Sequence, residues 1–99
     1  MNTEMNTDIT IERTAVVASP VGLHARPAKA VAAAAADQQT VVLVGIDGKD
    51  PVDARSLLSL LAFGVQHGDT VTLSAAGEGA QQAVDALAAV IEEDHSDGS

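Results

Sequence analysis

Apolar and polar positions alternate over residues 10–18, with Ile11, Arg13, Ala15 and Val17 on one side of the pleat and Glu12, Thr14 and Val16 on the other, which predicts a strand. The break at Ser19-Pro20-Val21-Gly22 ends it. Residues 26–36 are alanine-rich and free of glycine, so they predict a helix with Pro27 in its first turn, where a missing N–H costs nothing. Residues 41–46 form a β-branched run that predicts a well-buried strand, closed by a turn at Asp47-Gly48-Lys49. A short extended piece over residues 51–54 is expected to pair with it at the sheet edge, since Pro51 cannot donate to a ladder. Ser56 stands at the N-cap of a short helix, Leu57–Phe63, stopped by Gly64. After a turn at His67-Gly68-Asp69, residues 70–75 alternate, Val71 and Leu73 inward, Thr72 and Ser74 outward. Gly77 and Gly79 bracket the next break, and residues 80–92 place Ala80, Ala83, Val84, Leu87 and Ile91 on one helical face. The order βαββαβα implies an α/β (α+β) two-layer sandwich, a four-stranded, largely antiparallel sheet with three helices on one face.

Composition narrows what such a domain can do. The 99 residues suffice for one core, built from small aliphatic side chains because 19 are alanine and Phe63 is the sole aromatic. Readers of single-stranded nucleic acid that stack bases on aromatic rings are therefore excluded. The absence of cysteine removes disulfides, thiolate zinc sites and cysteine nucleophiles. No apolar run reaches the ~18 residues of a membrane span, no basic start leads into an apolar run, and a cytoplasmic protein without membrane insertion is expected. The polar segments 1–9 and 93–99 are expected to be disordered tails around a domain over residues 10–92, with Met5 a second candidate start. Much of the net charge of −9 belongs to the ends: Glu4, Asp8 and Glu12 lie in the first twelve residues, and Glu92, Glu93, Asp94 and Asp97 in the last eight. The remainder is nearly balanced, so no field that attracts nucleic-acid phosphate is expected.

One segment concentrates reactive side chains where a helix begins: Gly22-Leu23-His24-Ala25-Arg26-Pro27-Ala28. With His24 at or beside the N-cap, its ring stands over the backbone N–H groups of Ala25 and Arg26, and Pro27 offers none. Those donors, the positive end of the helix dipole and the Arg26 guanidinium converge on an oxyanion bonded to the imidazole. A neutral imidazole is a competent nucleophile towards phosphorus near neutrality, given an ordinary pKa of about 6.5. The resulting phosphoramidate passes its group on readily, and the protein need only position the ring and balance charge. A blander reading makes His24 a cap or a surface residue and Arg26 a solvated charge. The combination of Gly-Leu, His, Arg two residues on, and Pro within the first turn is far narrower than any member alone.

This segment resembles the active-site signature of the HPr family, the histidine-containing phosphocarriers of the bacterial sugar phosphotransferase system. The resemblance continues through Gly48-Lys49, Arg55-Ser56-Leu57, Leu60, Gly64 and residues 68–78, covering residues 10–92 with one extra residue near Asp50-Pro51. It implies an open-faced β-sandwich of the same element order and a phosphoryl carrier rather than a free-standing enzyme. Enzyme I, with phosphoenolpyruvate as the original donor, would supply the group, and a sugar-specific IIA domain would take it. By position, His24 matches the histidine phosphorylated through Nδ1, and Arg26 the arginine that balances the phosphate charge. Ser56 matches the serine modified by HPr kinase/phosphorylase in some bacteria, although capping alone would account for it. Many relatives have Ser or Asn three residues before the histidine, where this chain has Val21; a side-chain donor is lost there.

Leu57 and Leu61 are four residues apart and predict an apolar stripe on the second helix, extended by Leu58, for brief partner docking, with Arg26, Lys29 and Arg55 as a charged rim. The competing expectation is that these leucines are all core. His67 and His95 have no companions at metal-ligand spacing, and Gly77-Glu78-Gly79 lacks the rest of a phosphate loop, so neither cofactor nor metal is expected. A monomer is expected. The alternatives are a regulatory or nitrogen-branch HPr-like protein, an acylphosphatase-like hydrolase, and a metal-binding module, for which paired thiols are missing.

Overall fold

The computed structural model describes residues 10–20, 22–23 and 25–93. The expectations for the termini, for Val21 and for His24 and His95 fall outside these residues, except at Glu93. The elements are β1 (Thr10–Val16), α1 (Ala25–Ala36), β2 (Leu43–Gly45), β3 (Val52–Asp53), α2 (Leu57–Phe63), β4 (Thr70–Ala76) and α3 (Ala80–Ile91). The strands form one sheet in the order β1-β4-β2-β3. Each neighbouring pair is antiparallel, with Thr14 opposite Thr72, Leu43 opposite Ser74 and Val44 opposite Val52.

Three local predictions hold for physical reasons, α2 in its boundaries and β4 and α3 in the faces they bury. Ser56 caps α2, its side chain accepting the Ser59 N–H at 3.2 Å, and Gly64 ends that helix at φ 65°, a left-handed conformation that favours glycine. In β4 Val71 and Leu73 are fully buried while Thr72 and Ser74 are not. The predicted face of α3 is buried along its whole length, from Ala80 to Ile91.

The run over residues 41–46 differs from its expectation. Only Leu43–Gly45 is strand, and burial alternates: Val42 and Val44 are inaccessible, whereas Val41 is 45% and Leu43 38% exposed. The helices cover one face of the sheet and leave the other to solvent, so a β-branched run here is buried on one side only. β1 is also shorter than predicted: the Val17 N–H still donates to the Asp69 carbonyl (2.9 Å), but the Val17 carbonyl accepts from Gly68 rather than Asp69, and the Ala18 N–H leaves β4 for the Ile91 carbonyl (3.2 Å).

The core joins the inner sheet face to α1, α2 and α3 through Leu60, Leu73, Leu87, Ile91 and a surround of valine and alanine. Each buried leucine or isoleucine contributes about 1.5–3 kcal/mol. Alanine faces on α1 and α3 let these two helices pack closely: Ala28 and Ala35 on the first, Ala80, Ala83 and Ala88 on the second are all buried. Across the layers Arg13 reaches from β1 to Asp85 on α3 at 2.8 Å. Among the described residues no helix is long and apolar enough to cross a membrane.

Candidate functional site

The signature segment enters α1 over a support the chain makes for itself. The Gly22 N–H donates to the Ser19 carbonyl at 3.0 Å, closing a turn, and the Leu23 N–H donates to the Val65 carbonyl at 2.9 Å. Gly22 has φ 74°, and a Cβ there would run into the Val65 carbonyl oxygen and lie 2.8 Å from the Gln66 Cα. Glycine adopts this left-handed angle without strain, and the close neighbour that excludes a side chain is the chain's own 65–66 backbone. Leu23 is buried, which anchors the residue immediately before His24.

On the far side of His24, Ala25 opens α1. Ala25, Arg26 and Lys29 are exposed, while Pro27, Ala28 and Val31 face the core. The amides of Ala25 and Arg26 lie in the first turn, where the helix supplies no acceptor of its own. Among the described residues Arg26 and Lys29 make no ion pair; Arg13 is held by Asp85 and Arg55 by Asp53.

Arg55 therefore differs from its place in the expected rim. Its guanidinium contacts Asp53 at 2.7 Å and 3.0 Å, and its N–H donates to the same carboxylate at 2.9 Å. The Arg55 side-chain hydrogen bond, with the Arg55 backbone N–H second, holds the Asp53 carboxyl below its ordinary range. A cation so engaged offers less to an incoming anion than Arg26 or Lys29. The apolar stripe differs too. Leu57 and Leu61 are half-buried against the core, and Leu58, 79% exposed, is the leucine that stands into solvent. On a short amphipathic helix the side nearest the sheet takes Leu60 wholly and its neighbours partly, leaving the opposite side free.

Ser56 is exposed in part, and its hydroxyl donates to the Ser59 Oγ at 2.9 Å besides capping α2. His67 is exposed in a turn, yet it lines one depression with Pro20, Leu23, Leu61, Gly64, Val65 and Gln66. The tertiary fold thus brings the turn after α2 beside the signature segment. Sequence reasoning recognised that turn but gave it no part in the site, because its link to residues 22–23 is made by backbone groups that every residue possesses. Among the described residues no group of three or more metal-ligating His, Asp or Glu side chains is assembled.

Residues 11–93 match the family model described as the PTS HPr component phosphorylation site. The chain is 44% identical over 78 residues to the phosphocarrier protein HPr of Haloferax volcanii, covering 78% of this chain and 88% of that one. It is 41% identical over 83 residues to the HPr of Streptomyces coelicolor, covering 83% and 88%. Matches at 32% and 33% identity carry the names phosphocarrier protein NPr and HPr-like protein Crh. Among solved structures, the phosphocarrier protein HPr from Bacillus anthracis superposes with a TM-score of 0.79 at 27% identity, over 85% of this chain and 99% of that one. A chain with this signature, this open-faced sheet and these relatives belongs to the HPr family of phosphocarriers of the phosphotransferase system.

Proposed function

We propose that this chain carries a phosphoryl group on His24, taking it from phosphorylated enzyme I and passing it to a sugar-specific IIA domain. The observation that carries the reading is the entry to α1, with Leu23 anchored before the histidine, exposed first-turn residues after it, and Arg26 without an ion-pair partner among the described residues. A ring nitrogen of His24 attacks phosphorus, the N–P bond forming as the bond to the donor breaks. Arg26 and the Ala25 and Arg26 amides balance charge on the phosphoryl oxygens. The carrier domain is residues 10–92, working as a cytoplasmic monomer. A Haemophilus influenzae multiphosphoryl transfer protein, 38% identical over 84 residues that make up 17% of its length, supports the presence of phosphotransfer partners. Partners dock over Leu58 and the exposed flanks of Leu57 and Leu61, with Lys29 the available cation and Arg55 a weaker one. Ser56 is the candidate for modification by HPr kinase/phosphorylase.

Incubation with enzyme I and labelled phosphoenolpyruvate, followed by mapping of the acid-labile phosphate, tests the reading. Label on His24 that can be chased to a IIA domain is the expected result, and label elsewhere, or none, overturns it.

A further inference from the structure

Residues Gln66, His67, Gly68 and Asp69 are all exposed, so no core packing holds this turn in place. Hydrogen bonds do so instead. The Asp69 N–H donates to the Gln66 carbonyl at 3.0 Å, and the Gln66 N–H donates to the Asp69 Oδ2 at 2.9 Å, closing the same four residues from both directions. Two further bonds tie the turn to the end of the first strand, Gly68 N–H to the Val17 carbonyl and Val17 N–H to the Asp69 carbonyl, each 2.9 Å. Gly22 and Leu23 rest directly against Val65 and Gln66, so the placement of residues 65–66 sets that of the backbone leading to the next residue, His24.

We infer that Asp69 is a positioning residue for phosphoryl transfer. Its carboxylate clasps the turn that supports the signature segment, and it acts through the Val65 carbonyl rather than on the phosphoryl group. The inference rests on the carrier function proposed above. In-line transfer is sensitive to small displacements of the nucleophile, whereas the N–H freed by removing an exposed carboxylate is satisfied by water. Loss of the clasp should therefore be felt in the chemical step and hardly in the fold.

The experiment compares the wild type, Asp69→Ala and Asp69→Asn as acceptors from enzyme I, with thermal unfolding measured alongside. Asp69→Ala should lower kcat about tenfold, with KM for the carrier within about twofold of the wild type and the unfolding midpoint nearly unchanged. Asp69→Asn retains an acceptor oxygen and should return kcat to within about twofold of the wild type. Wild-type kcat in Asp69→Ala would overturn the inference. So would an Asn variant as slow as the Ala variant, a defect confined to KM, which marks a docking contact, or an unfolded Ala variant, which marks a structural one. A wild-type protein that takes no label on His24 would instead sink the carrier reading, and the inference with it; the wild-type arm separates the two failures.

Discussion

The starts of α1 and α2 are built to opposite ends. At α2 the cap and counter-charge come from adjacent residues: the Ser56 oxygen accepts the Ser59 N–H, and Arg55, the residue before it, is clasped by Asp53. At α1 the cation nearest the helix start, Arg26, is exposed and has no ion-pair partner among the described residues, and Pro27 withholds an N–H from the first turn. The backbone running into α1 is nevertheless fixed, by the Leu23 N–H on the Val65 carbonyl and the burial of Leu23. A helix start that satisfies its own charge stabilises the fold, whereas one held rigid with its charge unspent is suited to an anion that arrives and leaves.

The sharpest way to break the comparison is His24→Ala. Acceptance of acid-labile phosphate from enzyme I should fall to background while the circular dichroism spectrum and unfolding midpoint stay close to those of the wild type. Residual labelling at an undiminished rate would relocate the nucleophile. The next effect in size belongs to Arg26→Lys, which keeps the charge and loses the planar fork. Transfer should slow about tenfold, less than the ~10²-fold typical of deleting an oxyanion donor outright, because the ammonium still offsets phosphate charge. Stopped-flow transfer rates decide the matter, and equal rates would make the fork geometry irrelevant.

Ser56→Asp probes the other helix start. Aspartate is as good an N-cap as serine, so the unfolding free energy should stay within about 0.5 kcal/mol of the wild type. The new charge beside Leu57 and Leu58 should nonetheless reduce phosphorylation by enzyme I several-fold through weaker docking. An untouched rate would remove α2 from the docking surface, and unfolding would show that the hydroxyl's bond to Ser59 matters more than the cap.

Asp53→Asn should give the smallest effect. The Asp53 carboxyl is held below its ordinary value of 3.8, so its contribution to stability is present above that pH and is lost as pH falls through the lower, folded-state value. Wild type should be slightly more stable than the variant at neutral pH, and the two should converge in strong acid. Urea midpoints at the two pH values provide the check. A difference that persists or grows in acid would mean the Arg55 contact is not its source.

Local chemistry was legible because it depends on neighbours in the chain. The span Ser56 to Gly64 could be read to the residue, since an N-cap oxygen and a left-handed glycine act within one helical turn. Period-2 alternation in β4 and the helical stripe of α3 named their buried residues, and the Gly-Leu-His-Ala-Arg-Pro-Ala segment named the candidate site and the family. Which side of residues 41–46 faces water was not legible, because β-branched residues suit an open and a covered sheet alike and only the position of the helices distinguishes them. Nor could the chain by itself show that Arg55 is bound to Asp53 while Arg26 pairs with no described residue, or that Leu58 rather than Leu57 and Leu61 stands into solvent. Above all, the rest of Gly22 and Leu23 against Val65 and Gln66 joins segments more than forty residues apart through backbone atoms. Backbone groups carry no signature of type, so the support beneath the signature segment was decided only when β1, α2 and β4 packed together.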